Sequence, residues 1–141
     1  MNNPFFIKRA EYVEVQVPAG NVKQTIYFPD LPNLRTSKIF GIEVFNSQTQ
    51  SISYSGAPVQ TIQAIRDSIT VLYFEGGEFI QVPTISLMRI DLNRYFESIP
   101  MLAGQVIVWA KSYIYLTDTT NFPLYAGNNY VFNVYYSKNN I

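Results

Sequence analysis

The sequence predicts an all-β chain folded as an antiparallel β-sandwich of about eight strands. Three observations carry this expectation. Short segments rich in β-branched and aromatic residues, such as Tyr12-Val13-Glu14-Val15-Gln16-Val17 and Val131-Phe132-Asn133-Val134-Tyr135-Tyr136, alternate or run apolar as strands do. Turn signals built on Pro, Gly, Asn and Asp separate them at strand-length intervals. No alternation of strands with long helices occurs, as a parallel sheet would need, and no segment repeats at a fixed period.

The first strand covers residues 12–17 and closes at Pro18-Ala19-Gly20-Asn21. The second covers 23–28 and stops at Pro29-Asp30-Leu31-Pro32-Asn33, because each proline removes a ladder N–H. Residues 38–46 read as the third strand; the polar stretch 47–56 fits a loop, or a weak edge strand around Ile52 and Tyr54. Residues 61–67 match neither the helical nor the strand period and stay open between one helical turn and a crossing connection. Residues 68–74 form a buried-type strand and 79–82 its hairpin partner, joined by Glu75-Gly76-Gly77-Glu78, where glycine supplies the positive φ of a tight turn. After Pro83 the pattern predicts a strand over 84–90, then a short helix over 91–99 capped by Asp91 with Leu92, Tyr95, Phe96 and Ile99 on one face. Residues 105–110 and 112–116 read as one bent strand or two short ones. A loop over 117–129, holding Pro123 and Gly127, leads to the last strand, 130–137.

A chain of 141 residues makes one domain, with residues 1–10 as an amino-terminal arm and 11–141 as the sandwich. Ten basic and ten acidic residues cancel, and no run of like charge occurs, so nucleic acid is not expected as a specific partner. Charged residues make up only 14% of the chain, against about 25% in an ordinary soluble domain. The surface must be covered by Asn, Gln, Ser, Thr and Tyr, or in part by other subunits. The longest strictly apolar run, Val106 to Ala110, falls far short of the roughly 20 residues of a membrane-spanning helix, and residues 1–9 show no secretory signal core.

The chain contains no histidine and no cysteine. That excludes Ser-His-Asp and Cys-His nucleophile systems and a histidine-bound metal of the cupin kind, and no cofactor, metal or enzymatic activity is expected. Paired carboxylates remain the available hydrolytic device. Glu75 and Glu78 flank the hairpin glycines and read as solvated turn charges; Asp91 and Glu97 lie at the two ends of the expected helix, where capping accounts for Asp91. Asp118 and Asn121 could offer oxygens to calcium, but such a site takes six to eight ligands, and turn chemistry explains them. Eleven tyrosines raise a binding platform, with Tyr113, Tyr115, Tyr135 and Tyr136 as its candidates; half-buried core tyrosine is the plainer reading.

Two features point outward from a lone sandwich. The segments 39–45, 69–74 and 106–109 are apolar on both strand faces, so the second face is covered either by loops of the same chain or by neighbouring subunits. Pro4-Phe5-Phe6-Ile7-Lys8-Arg9 combines apolar anchors with two positive charges. It packs back on its own sandwich or reaches a neighbour, and Phe5, Phe6, Ile7, Lys8 and Arg9 are its candidate subunit-interface residues.

An all-β, weakly charged chain with an apolar arm and aromatic strands, above all Gln24-Thr25-Ile26-Tyr27-Phe28-Pro29-Asp30 through Lys38-Ile39-Phe40-Gly41-Ile42, resembles the single jelly-roll capsid proteins of viruses, in particular penton-type vertex proteins of bacteriophages. The resemblance is one of pattern and carries no functional residue across. It implies a single jelly roll, symmetric homo-oligomers such as pentamers, contacts with other capsid proteins, and a place in the virion. The long loops after Asn46 and Leu116, and the lack of a Cys-Trp-Cys pattern, favour that roll over an immunoglobulin-like sandwich. With only two basic residues in the arm, genome packaging through a basic tail is not implied. The alternative is a carbohydrate- or receptor-binding sandwich, such as a phage spike tip; a glycosidase comes third.

Overall fold

The structure, a computed structural model, describes residues 9–21, 23–88, 104–118, 120 and 122–137. Seven strands among these residues build two antiparallel sheets: β1 (Arg9–Gln16), β2 (Thr25–Tyr27), β3 (Lys38–Phe45), β4 (Ser68–Tyr73), β5 (Phe79–Pro83), β6 (Tyr113–Leu116) and β7 (Asn129–Ser137). One sheet runs β1-β7-β3 and the other β2-β6-β4-β5. The links β1–β2, β2–β3, β3–β4 and β6–β7 each cross from one sheet to the other, whereas β4 and β5 form a hairpin within theirs. Helix is confined to short pieces, including α1 (Ile62–Arg66) and α2 (Phe122–Tyr125).

Strand alternation turns one face of each sheet inward. Val13 and Val15 of β1, Ile39, Ile42 and Val44 of β3, and Tyr130, Phe132, Val134 and Tyr136 of β7 meet Ile26, Leu72, Val82, Ile114 and Leu116 of the opposite sheet in one core. Phe28 lies at its centre, with ring centroids 5.3 Å from both Trp109 and Phe132. Several buried polar groups pair across elements: the Thr70 and Thr84 hydroxyls lie 2.8 Å apart, and the Tyr130 hydroxyl donates to the Ala64 carbonyl at 3.1 Å. Burial pushes the Tyr130 hydroxyl well above its ordinary pKa.

Several expectations are corrected at the level of elements. The strand expected over 84–90 is a 3-10 turn at Thr84–Leu87, because the Ser86 hydroxyl bonds the Pro83 carbonyl at 2.7 Å and Thr84 turns inward to Thr70. The stretch 105–110 does not form a strand either; Gln105 and Ile107 make single bridges to Ile39 and Phe74, and the chain then tightens into a 3-10 turn at Trp109–Lys111. Ser112 enforces that bend, its hydroxyl donating to the Val108 carbonyl and accepting from the Tyr73 N–H. Residues 61–67 form α1, with Thr61 accepting from the Ala64 N–H as its N-cap. The second strand shortens to Thr25–Tyr27 before Pro29, and β1 begins at Arg9, three residues before the expected start at Tyr12. The helix expected over 91–99 lies outside the described residues.

Candidate functional site

The two outer faces of the sandwich differ in kind. Outward from β1-β7-β3 stand Tyr12, Glu14, Val131, Asn133, Tyr135 and Glu43, and the chain itself covers part of this face. The loop over 46–60 folds across it: the Tyr54 ring stacks on Tyr12 at 4.0 Å, and the Tyr12 hydroxyl accepts from the Tyr54 N–H and from Gln50. Glu14 accepts hydrogen bonds from Ser55 and Asn129, each at 2.8 Å. Burial alone would raise the Glu14 carboxyl, but hydrogen bonds from Ser53, Ser55 and Asn129 outweigh it and hold the group below its ordinary pKa. Glu43, 6% exposed, accepts from the Tyr135 hydroxyl at 2.6 Å.

The outer face of β2-β6-β4-β5 carries rings instead. With Ile26, Ile114, Leu72 and Val82 turned inward, the register sends outward Thr25 and Tyr27 of β2, Tyr113 and Tyr115 of β6, Ile69, Val71 and Tyr73 of β4, and Phe79, Gln81 and Pro83 of β5. None of these is charged. Four rings make a row across all four strands: Tyr27 to Tyr113 at 5.7 Å, Tyr113 to Tyr73 at 6.3 Å, and Tyr73 to Phe79 at 5.2 Å. Burial raises the Tyr113 hydroxyl above its ordinary pKa, and the neighbouring Tyr73 adds to the shift. Tyr27 is 60% exposed, Phe79 51% and Tyr115 36%, against Val71 at 2% beneath them. A face that is apolar, aromatic, charge-free and open has the composition of an interface core, not of an ordinary wet surface.

The β4–β5 hairpin closes one end of the row. Phe74 accepts from the Gly77 N–H at 2.9 Å, Gly77 takes φ +91°, and Phe74 donates back to the Glu78 carbonyl at 2.8 Å. This is a three-residue loop with glycine at its left-handed position. Only Gly77 of the glycine pair has a positive φ. Glu75 and Glu78 are exposed at this turn, Glu78 immediately before Phe79.

Beside the hairpin, an open cleft of about 470 Å³ is lined by Asp30, Arg35, Thr36, Glu75 and Val106 to Ala110. The Arg35 guanidinium hydrogen-bonds both Asp30 carboxylate oxygens and holds that carboxyl below its ordinary pKa. Asp30 is therefore held as an ion-paired carboxylate, a poor general acid.

The sequence candidates separate accordingly. Tyr113 and Tyr115 share the aromatic face; Tyr135 stands on the opposite sheet bonded to Glu43, and Tyr136 turns into the core. Tyr27, Tyr73 and Phe79 complete the face, and only cross-strand register reveals them. The Asp118 carboxylate accepts from the Thr120 N–H and hydroxyl, a turn arrangement, and no cluster of three or more acidic side chains arranged to hold a metal occurs among the described residues. Arg9 is exposed at the start of β1, opposite Tyr136. Phe5, Phe6, Ile7, Lys8, Asp91, Glu97 and Asn121 lie outside the described residues. No helix among the described residues is long and apolar enough to cross a membrane.

Comparison with family models, curated proteins and solved structures finds no match. Function accordingly rests on the chemistry of these surfaces.

Proposed function

We propose that the chain is a single jelly-roll subunit of a virion shell, of the penton or vertex type, and that it works by assembling into symmetric homo-oligomers alongside other capsid proteins. The observation that carries this reading is the uncharged aromatic face of β2-β6-β4-β5, open across all four strands. Aromatic residues are enriched and charge is depleted where subunits meet, and buried tyrosine is a frequent anchor of binding energy.

The pairing pattern supports the roll. An eight-stranded jelly roll is one long antiparallel ribbon, pairing strands 1 with 8, 2 with 7, 3 with 6 and 4 with 5, wound into two facing sheets. Place the extended stretch at Gln105 sixth, and β6 and β7 become seventh and eighth. The ladders β1–β7, β2–β6 and β4–β5 then supply three of the four pairings. The Ile39–Gln105 bridge stands in the place of the fourth, with the Ile39 N–H donating to the Gln105 carbonyl at 2.8 Å and the Gly104 N–H to the Ile39 carbonyl at 3.1 Å.

Lysine at positions 27 and 79 would set two charges into a desolvated contact. Electron micrographs of the purified chain should show rings of defined symmetry that the double variant Tyr27→Lys, Phe79→Lys loses while keeping its circular dichroism spectrum. Rings unaffected by the double variant would contradict the role given to this face. The same row of rings favours a second reading, a platform for neutral carbohydrate, since tyrosine offers both an apolar face and a hydroxyl. A monomeric chain that binds immobilised glycans through Tyr113 would put that reading first.

A further inference from the structure

The hairpin end of the aromatic face is acidic and unsatisfied. Glu75 and Glu78 are exposed beside Phe79, and the only ion pair among the described residues is Asp30–Arg35. An apolar row ending in two free carboxylates is complementary to a segment of aromatic and aliphatic residues followed by positive charge. This chain carries one such segment, Phe5-Phe6-Ile7-Lys8-Arg9.

Reach decides whose segment it is. Arg9 starts β1, which stands over β2 at one edge of the sandwich, while Phe79 lies on β5 at the far edge of the opposite sheet. With about 4.8 Å between strands and about 10 Å between sheets, the two are separated by roughly 17 Å even on a straight line through the core. Phe5 is four residues from Arg9 and reaches at most about 14 Å, and Ile7 only about half that. The chain's own Phe5 to Ile7 therefore stops short of Phe79 at the far edge of its own face.

We infer that, within the assembly proposed above, residues Phe5 to Arg9 of one copy dock on the β2-β6-β4-β5 face of a neighbouring copy. Phe5, Phe6 and Ile7 pack along Tyr113, Tyr73 and Phe79, and Lys8 and Arg9 meet Glu75 and Glu78. The contact is heterologous, since the donated segment and the receiving face are different surfaces, and its repetition closes a ring when the rotation between copies divides a full turn.

The test uses the full-length chain with Phe6 replaced by photoreactive benzoylphenylalanine, in a mixture of isotopically heavy and light copies. Heavy–light cross-links should fall in the tryptic peptide 67–89, which holds Tyr73 and Phe79. Phe79→Ser should cut their yield by about tenfold, the loss expected when one anchor ring is removed. Glu78→Lys should reduce the yield as well, and Lys8→Glu in the same chain should restore it. Cross-links within single copies only, or heavy–light cross-links on other peptides that Phe79→Ser leaves unchanged, would overturn the docking. An oligomer whose cross-links land elsewhere defeats this inference alone; a monomeric chain with no heavy–light product defeats the assembly reading with it.

Discussion

Gly77 is the residue on which the β4–β5 hairpin turns. Its φ of +91° lies where a β-branched residue is strained, whereas Gly76 has no positive φ and open space around its Cα. Gly77→Val should cost about 1–3 kcal/mol, or roughly 3 °C of melting temperature per kcal/mol in a chain of this size, while Gly76→Ala should be nearly silent. Equal melting temperatures for the two variants in a thermal scan would contradict the turn geometry. The glycine pair was legible in sequence as a hairpin, but which member takes the left-handed position follows from the loop length, which depends on Phe74 pairing with Glu78. Inside the core, the Thr70 and Thr84 hydroxyls satisfy one another at zero exposure. Thr70→Val should cost about 1–3 kcal/mol by stranding the Thr84 hydroxyl, and adding Thr84→Val should recover most of it, because two apolar groups of the same shape strand nothing. Chemical denaturation of both singles and the double measures that coupling; purely additive losses would contradict it.

At the scale of elements, β1, β3, β4, β5 and β7 lie close to where apolar runs and alternation place them, since a strand that buries a face must write that burial into its sequence. The 3-10 turns at Thr84–Leu87 and Trp109–Lys111 were not legible: both stretches are apolar enough for strands, and serine side chains bonding nearby backbone decide against the ladder. The same holds for α1, whose existence depends on the Thr61 cap more than on periodicity. The loop over 46–60 shows how one element covers another. Glu14 draws it onto the outer face of β1-β7-β3 through Ser53 and Ser55, Asn129 of β7 bonds the same carboxylate, and the carboxyl's folded pKa is lowered. A lowered folded pKa means that the stabilisation is present above the ordinary glutamate value of 4.5 and fades as pH falls through the folded value. Hydrogen exchange at the backbone N–H groups of the loop should therefore become faster, relative to the rest of the sandwich, as pH drops below that range, and Glu14→Gln should flatten the change. Protection independent of pH in the parent chain would contradict the latch.

At the scale of the whole molecule, a two-sheet sandwich was legible and the order of its strands was not, because order is set by pairings between segments more than a hundred residues apart, such as Gln16 with Asn129. The aromatic face was legible only in part. Tyr113 and Tyr115 stand out in the sequence, but nothing local tells that Tyr27, Tyr73 and Phe79 join them, or that Tyr136 turns inward. Covering of the second faces proves to be divided: a loop of the chain itself lies over one sheet, while Tyr27, Tyr115 and Phe79 of the other stay exposed. An open face of this composition is the physical reason to expect neighbours, and contacts of at least about 1,000 Å² are what a stable assembly would need. The most direct measurement is the mass of the purified full-length chain in solution by light scattering across a concentration series. The account predicts a defined multiple of the 16.2 kDa chain that falls toward the single-chain mass in Tyr27→Lys, Phe79→Lys; a parent chain that stays at 16.2 kDa at every concentration would contradict it.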